Sequence, residues 1–464
     1  MAAKKAREGH NGDHQLETRS STLAETAAPA RKNIAHDIGA PLTQVMRHIS
    51  PTGFTRASLL YRWYEASWFR DSSMMAIGLT EATEFLRSNQ DPRCAETQSA
   101  AGSILGFLWG TIGKFDDSIR AALAIDASSK EFLLLKNHIP ARMGENGQYF
   151  SFTSNGVEYS DAQENNTYIK LRQYDSVPLT LIATHKFIEM AGENALDPAI
   201  KERIRGSLDN LVQYMLKTYR TPSANAWELD EGEMHSYTVA SISGGLRSAI
   251  FLSQLLGANI GDLKELNAKV KEVDAFIEDT FVRDGILYKS ANTPGTVPAV
   301  QGPNRYVDAS AIFVFTLFKP QLSAGVEANT IKKMEDDLFD GNVLPIRYLG
   351  DTYFSGGRWP LLGLEFAHYY AEHGDFASAL RILDYVKEKH LGPNGGGVIP
   401  EQELVNPACP NSDLHDWFKK NGNVVISELG WAEAEYVKAV ITYVKEEARK
   451  QAGELKAVVR GTPI

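Results

Sequence analysis

Trp227-Glu228-Leu229-Asp230-Glu231-Gly232-Glu233-Met234-His235-Ser236-Tyr237-Thr238 is a polar, glycine-containing stretch between two long runs, 199–219 and 237–257, in which apolar residues recur at helical spacing. Beyond the second run, Gly257 to Gly261 leaves room only for a tight turn before another helical run at 262–282. A helix entered by a long connection and left by a short one is half of a hairpin. Whether this alternation repeats decides the fold.

It repeats along the chain. Twelve amphipathic runs can be counted, at about 33–48, 72–88, 95–113, 174–191, 199–219, 237–257, 262–282, 306–319, 327–338, 359–372, 375–389 and 429–447. The long gaps follow the first, third, fifth, seventh, ninth and eleventh runs: 49–71, 114–173, 220–236, 283–305, 339–358 and 390–428. Short turns, such as Gly257 to Gly261 and His373-Gly374, force antiparallel neighbours. Helix pairs closed tightly at one end and loosely at the other put every long loop on one face, so the expected architecture is all-α, a toroid of six hairpins around one central site. Within 114–173, residues Phe115 to Asn137 keep a helical period, while the segments from Gly147 to Thr153 and from Val157 to Tyr159 can pair as short strands. No sequence repeat of 20–50 residues stands out, so the six-fold order is structural.

Composition narrows the function. A formal net charge of −10 and a pI near 5.7 argue against a general polyanion binder such as a nucleic-acid protein, and favour a neutral or cationic small substrate. Cys94 and Cys409 are far apart, which supports neither a disulfide framework nor a zinc site, and both are read as buried free thiols. Histidines such as His235, His373 and His390 lack paired ligand spacing, and neither metal nor cofactor is expected. No apolar run of membrane-span length and no secretory h-region are read, so no membrane partner and a cytoplasmic address are expected. Residues 1–30, polar and poor in large apolar side chains, read as a disordered tail; 31–450 read as one catalytic domain and 451–464 as a C-terminal tail.

Three loops carry chemistry. Glu228 lies between Trp227 and Leu229, an apolar wall of the kind that desolvates a carboxyl and lets it hold a proton near neutrality. By itself an acidic loop before a helix is ordinarily an N-cap region. A second candidate 173 residues later, Glu401 in Pro400-Glu401-Gln402, also in a loop before a helix, turns the balance. Near the start, Arg70 and Asp71 can offer a donor fork and an acceptor pair to vicinal hydroxyls, with Trp68 as an apolar face for a sugar ring; Asp71-Ser72 can equally be a plain helix start. The loop holding Arg347, Tyr348, Tyr353, Arg358 and Trp359 gathers aromatic and guanidinium groups as a ligand surface does, although it also reads as a turn before a helix with Pro360 near its first position.

With these residues in hand the chain resembles glycoside hydrolase family 15, the inverting exo-glucosidases that include glucoamylase, glucodextranase and isomaltose glucohydrolase and fold as an (α/α)6 barrel. The resemblance rests on Tyr64, Trp68 to Asp71, Trp227-Glu228, Tyr306 to Ser310, Arg347 to Tyr353, Gly356 to Trp359, Pro400 to Gln402 and Glu428 to Ala432, in order over about residues 35–447. It implies that Glu228 is the general acid and Glu401 the general base. Arg70, Asp71 and Arg347 would hold the non-reducing-end glucose, Trp68, Trp227 and Tyr348 would wall it, Tyr64 would lie near the attacking water, and Trp359 and Gln402 would complete the substrate surface. Hydrolysis of a glycosidic bond needs one protonated and one ionised carboxyl on opposite faces of the sugar, in agreement.

The chain departs from the fungal glucoamylase pattern in carrying Leu229 where those enzymes have a second Glu, in lacking the Trp and Arg expected before Gln173-Tyr174-Asp175, and in showing neither a starch-binding module nor an N-terminal β-sandwich. The expected partner is therefore a small oligosaccharide, isomaltose or isomalto-oligosaccharides first, with α-1,4 glucoamylase-type substrates or trehalose next. Two rivals stand beside this reading: a non-catalytic glycan-binding or regulatory (α/α)6 protein, which would be expected to lose one of the two glutamates, and an (α/α)6 enzyme of another family.

Overall fold

The computed structural model describes residues 38–459 apart from 61–63, 128, 130–131, 133–138, 140, 146–148, 154–155, 161–171, 231, 293–305, 352, 354–355, 393–396 and 405–425. The expected tail at 1–30 and Cys409 lie outside the described residues. Twelve α-helices are described: α1 (Gly39–Arg47), α2 (Phe69–Ser88), α3 (Arg93–Lys114), α4 (Asp116–Ala124), α5 (Ser176–Ala191), α6 (Pro198–Thr218), α7 (Ser236–Leu256), α8 (Leu263–Phe281), α9 (Val326–Met334), α10 (Pro360–Glu372), α11 (Phe376–Val386) and α12 (Gly430–Val459). A short helical segment, Ala309–Phe318, lies between α8 and α9.

Six of these elements close a ring. α2, α5, α7, Ala309–Phe318, α10 and α12 each pack on the next, and α12 packs back on α2. The inner helices are buried nearly all round: α7 buries 17 residues, among them Val239, Ile242, Leu246 and Leu252. Outer helices bury one stripe, as α8 does with Leu266, Val270, Val273, Ile277 and Phe281. The chain is an (α/α)6 barrel.

Tight turns join inner to outer helices. Gly257, at φ 68°, ends α7 in the left-handed conformation that glycine adopts without steric cost, and Asp262 caps α8 by accepting from the Lys264 N–H at 2.8 Å. Long connections run from outer to inner helices and carry the short strands: β1 (Ser67–Trp68) pairs with β2 (Arg142–Met143), β3 (Tyr149–Thr153) with β4 (Gly156–Ser160), β5 (Glu233–His235) with β8 (Ser290–Asn292), and β6 (Val282–Arg283) with β7 (Ile286–Leu287), all antiparallel.

The structure differs from the sequence reading at four points. The helix read at 306–319 is shorter and irregular, a 3-10 turn at Ala309–Ala311 followed by a π-turn at Val314–Phe318. The cause is Asp308, which stays extended in a bridge to Tyr348 while its carboxylate caps the Ser310 N–H at 2.8 Å. The last helix continues to Val459, past the point where a tail was expected from 451. Finally, α7 is long and apolar enough by length and composition to cross a membrane, but its buried place in the inner ring accounts for its apolar character. Cys94, a free thiol, is half-buried rather than fully buried.

Close approach of the inner helices depends on small residues. A Cβ on Gly245 of α7 would lie 2.4 Å from the Pro178 Cβ and 2.6 Å from its Cα on α5, a backbone contact with little room to give. Gly245→Ala is therefore expected to cost about 1–3 kcal/mol through overpacking, read as a lower Tm in thermal unfolding with secondary structure retained.

Candidate active site

Residues from the N-terminal ends of the inner helices meet in one place. Arg70 and Asp71 lie in the first turn of α2, Asp175 precedes α5, Tyr237 opens α7, Asp308 precedes Ala309–Phe318, Trp359 precedes α10, and Trp431 is in the first turn of α12. Arg70 donates to Asp175 at 2.9 Å, and its guanidinium carbon lies 6.0 Å from the centre of the Trp431 ring. Burial pushes Asp71 up to about 6 against the pull of Arg70, and pushes Asp175 up as well. A buried carboxylate on a helix N-terminus is a fixed acceptor for hydroxyls, offset by the helix dipole.

Glu401 is 7% exposed and clamped from two other parts of the chain. Tyr64 donates to its Oε1 at 3.2 Å, Tyr353 donates to its Oε2 at 3.3 Å, and the two phenol oxygens are 3.1 Å apart. Burial raises the Glu401 pKa to about 7, with Arg347 and the two tyrosine hydrogen bonds pulling it down and the Asp71 charge adding to the rise. The carboxyl thus exchanges its proton close to neutrality.

Glu228 is held differently. Its φ is +63° and that of Asp230 +60°, left-handed values that cost a non-glycine residue free energy unless its surroundings over-determine them. Asn225 does so. Its side-chain oxygen accepts from the Trp227 N–H (2.8 Å) and the Leu229 N–H (3.1 Å), its carbonyl accepts from the Glu228 N–H (3.0 Å), and its own N–H donates to the Leu229 carbonyl (3.0 Å). The carboxylate projected by this turn accepts from Trp68 Nε1 at 3.1 Å, lies 3.8 Å from Arg70, and forms an ion pair with Arg142. The rings of Tyr64 and Trp68 lie 5.2 Å apart, so the donors to the two glutamates are neighbours and link the two carboxyls through one pair of rings.

Arg347 occupies the side wall, gripped by Asp351 through two hydrogen bonds of 2.6 and 2.7 Å. Its guanidinium lies 4.8–5.6 Å from the rings of Trp227, Tyr348, Tyr353 and Trp359. Trp227 donates to both Asp308 oxygens at 3.0 Å and packs on Trp359 at 5.2 Å. Beside Leu229, which is 39% exposed, the Lys289 ammonium sits 3.9 Å from the Tyr348 ring and 2.8 Å from Asp230. Gln402 is 1% exposed, and neither polar atom of its amide has a partner among the described residues. Buried, convergent and short of partners, this group fits the reading of hydroxyls in a sugar ring.

The model of the family described as glycosyl hydrolases family 15 matches residues 30–338. The chain belongs to that family. Glycosyl hydrolases family 15 thus accounts for the segment with Tyr64, Arg70 and Glu228, whereas Glu401 lies beyond the match. An isomaltose glucohydrolase of Kribbella flavida is 26% identical over 388 residues, covering 81% of this chain and 84% of its own length. Among solved structures, a wild-type glycosidase superposes with a TM-score of 0.67 at 21% identity, over 89% of this chain and 98% of that one. A glycosidase variant in complex with glucose gives 0.69 at 20% identity with the same coverage. A Hormoconis resinae glucoamylase gives 0.52 at 14%, over 90% of this chain and 74% of that one. The chain is a glycoside hydrolase of this family.

The sequence candidates Tyr64, Trp68, Arg70, Asp71, Trp227, Glu228, Arg347, Tyr348, Trp359, Glu401 and Gln402 thus fall on one connected surface. Arg142, Asn225 and Lys289 join them without any mention in the sequence reading, and Asp175, Asp308 and Tyr353, noted there only as parts of motifs, join them too. Arg142 is brought in by the β1–β2 pairing, for which the sequence gives no cue. Tyr353 had a signal, because it stands in the aromatic loop. Among the described residues no group of three or more His, Cys, Asp or Glu is arranged to hold a metal ion. At the far end of the ring a cavity of about 550 Å³ is lined by Glu81, Glu84, Lys186 and Lys445, which pair among themselves.

Tyr353→Phe removes a donor that favours the ionised form of Glu401, so the carboxyl should hold its proton to higher pH. The acidic limb of kcat/KM should shift upward from its position near pH 7, measured on any hydrolysed glucoside.

Proposed function

We propose that this chain is an inverting, exo-acting α-glucosidase that releases glucose from the non-reducing end of short α-glucosides, with isomaltose and isomalto-oligosaccharides preferred. The observation that carries this reading is the pair of glutamates in unlike settings, linked through the neighbouring rings of Tyr64 and Trp68. Glu401 acts as the base. As the pH rises past about 7 it becomes ionised, and its raised pKa makes it a stronger acceptor of a proton from water than an ordinary carboxylate. Tyr64 and Tyr353 orient its oxygens, so that water is activated from one direction. Glu228 acts as the acid on the opposite face, giving its proton to the leaving oxygen.

Arg142 adds a condition. The ion pair of Arg142 with Glu228 favours the charged carboxylate, so a substrate that uses Glu228 as an acid must take the place of this guanidinium beside it. Arg70, Asp71 and Arg347 bind the hydroxyls of the terminal glucose, and Trp68, Trp227, Tyr348 and Trp359 wall its ring, with Gln402 adding an amide to read hydroxyls.

The preferred linkage follows from the leaving-sugar side. A 6-linked sugar has an extra CH2 between ring and scissile oxygen and approaches the acid from another direction than a 4-linked ring. Leu229 offers no hydrogen bond beside the acid, which withdraws a contact that would read a 4-linked sugar. The Kribbella flavida relative, an isomaltose glucohydrolase by name, supports the same choice. A cytoplasmic address would suit imported disaccharides.

The two electrostatic settings also permit exchanged roles, with Glu401 as proton donor and Glu228 as the ionised partner, and one experiment separates them. α-Glucosyl fluoride needs no protonation of its leaving group. Glu228→Gln should keep much of its fluoride hydrolysis while losing about 10² to 10⁴-fold on isomaltose, and Glu401→Gln should lose both. The opposite pattern would exchange the roles, full activity in both variants would show that neither glutamate is the acid or the base, and a wild-type chain without hydrolysis would leave a binding protein. An NMR time course should show β-glucose as the first product. On linkage, kcat/KM for isomaltose should exceed that for maltose; a tenfold preference for maltose or trehalose would refute the linkage and leave the hydrolase standing.

A further inference from the structure

We infer that Glu433 is a positioning residue that sets the Glu401 segment in register with its two tyrosines. The inference rests on the reading of Glu401 as the base. Residues 399–403 form neither helix nor strand, so their place depends on individual bonds. The Leu429 N–H donates to the Ile399 carbonyl at 3.0 Å, the Glu401 N–H to the Ile426 carbonyl at 2.9 Å, and Glu403 exchanges backbone bonds with Arg358. To these the first turn of α12 adds a side chain. Glu433, 0% exposed, accepts the Ile399 N–H on Oε1 at 2.6 Å, two residues before the base.

Nothing else in the mechanism uses Glu433. Its Oε2 has no hydrogen-bond partner among the described residues. Burial and the neighbouring Glu428 hold the carboxyl up at about 8, so it sits neutral beside a backbone donor at physiological pH. Glu428 is itself paired with the buried His48 at 3.2 Å, and His48 bonds the Arg56 carbonyl at 2.7 Å. The turn that carries Glu433 is therefore anchored on α1 and the loop after it. By contrast, Tyr64 and Tyr353 reach Glu401 from other loops. If the Ile399 bond is lost, the tyrosines stay in place while the carboxyl moves away from them.

Three variants of the full chain test this. Glu433→Met keeps length and volume but removes the acceptor; Glu433→Ala is a second removal should the first not fold; Glu433→Gln restores an acceptor without a titratable group. Loss of the acceptor should lower kcat on isomaltose by about 10 to 10²-fold with a smaller change in KM, as small displacements of a catalytic group do. The acidic limb of the pH profile should also move upward. That limb reports Glu401, whose neighbours Arg347 and Asp71 and whose hydrogen-bond donors Tyr64 and Tyr353 are untouched. Glu433→Gln should recover most of the turnover and return the limb. A lower Tm with unchanged turnover and limb in the removal variants would overturn the inference, and so would Gln behaving as badly as Met. Glu401→Gln, assayed alongside, keeps the failures apart: if it retains turnover the base is misassigned, whatever Glu433 does.

Discussion

An α-helix leaves its first four N–H groups without intrahelical partners and carries about half a positive charge at that end. Six inner elements that run the same way around a closed ring bring six such ends together. This constraint explains why so many carboxyl groups can be buried on one face of an otherwise apolar barrel. Asp175 and Asp308 stand immediately before inner elements and Asp71 within the first turn of one, each less than a tenth exposed. Where arginines enter the same space they bring carboxylates with them: Arg70 has Asp175 and Arg347 has Asp351. The result is a polar surface that is rigid before any sugar arrives, which is the condition for stabilising charge that develops during reaction.

The two glutamates share this surface but are fixed by opposite means. Glu401 lies on a segment of ordinary backbone and is positioned from outside, through phenols contributed from sequence distances of 337 and 48 residues. Glu228 is positioned from inside its own turn, where Asn225 compels two left-handed residues within three positions. A carboxyl held by its own backbone can stay partly open to solvent, as the Glu228 side chain does at 15% exposure. One held by distant side chains must be deep, because only there do distant loops meet.

The sequence made the architecture legible because the helix-turn alternation is a property of local spacing: the Gly257 and Gly374 turns are visible as glycines between amphipathic runs. That the two glutamates would share one surface was legible for a related reason, since both stand in polar loops before apolar helices. What stayed hidden depends on partners that only the closed ring supplies. Arg142 reaches Glu228 because Ser67-Trp68 pairs with Arg142-Met143, two short strands separated by more than seventy residues. The irregular segment at Ala309–Phe318 was read as a regular helix because its pattern is helical; the extended bridge from Asp308 to Tyr348 that shortens it lies forty residues away in sequence. Wherever a hydrogen bond across the ring competes with local periodicity, the pattern predicts the element and misses its edge.

The ring is closed by the contact of α12 with α2, elements from opposite ends of the described chain. On a ribosome this contact is the last that can form. Five inner elements and the Glu228 turn can exist as a nascent assembly, but the segment with Glu401 takes its place only when α12 has emerged to support it. Contacts of such long sequence separation are slow to form, and until they do the apolar flanks of α2 and α10 stay open to water and to other chains. The same topology that brings the two glutamates onto one surface in a single late step thus leaves the unfinished chain prone to aggregate and, on the proposed roles of Glu228 and Glu401, couples the birth of activity to the completion of synthesis.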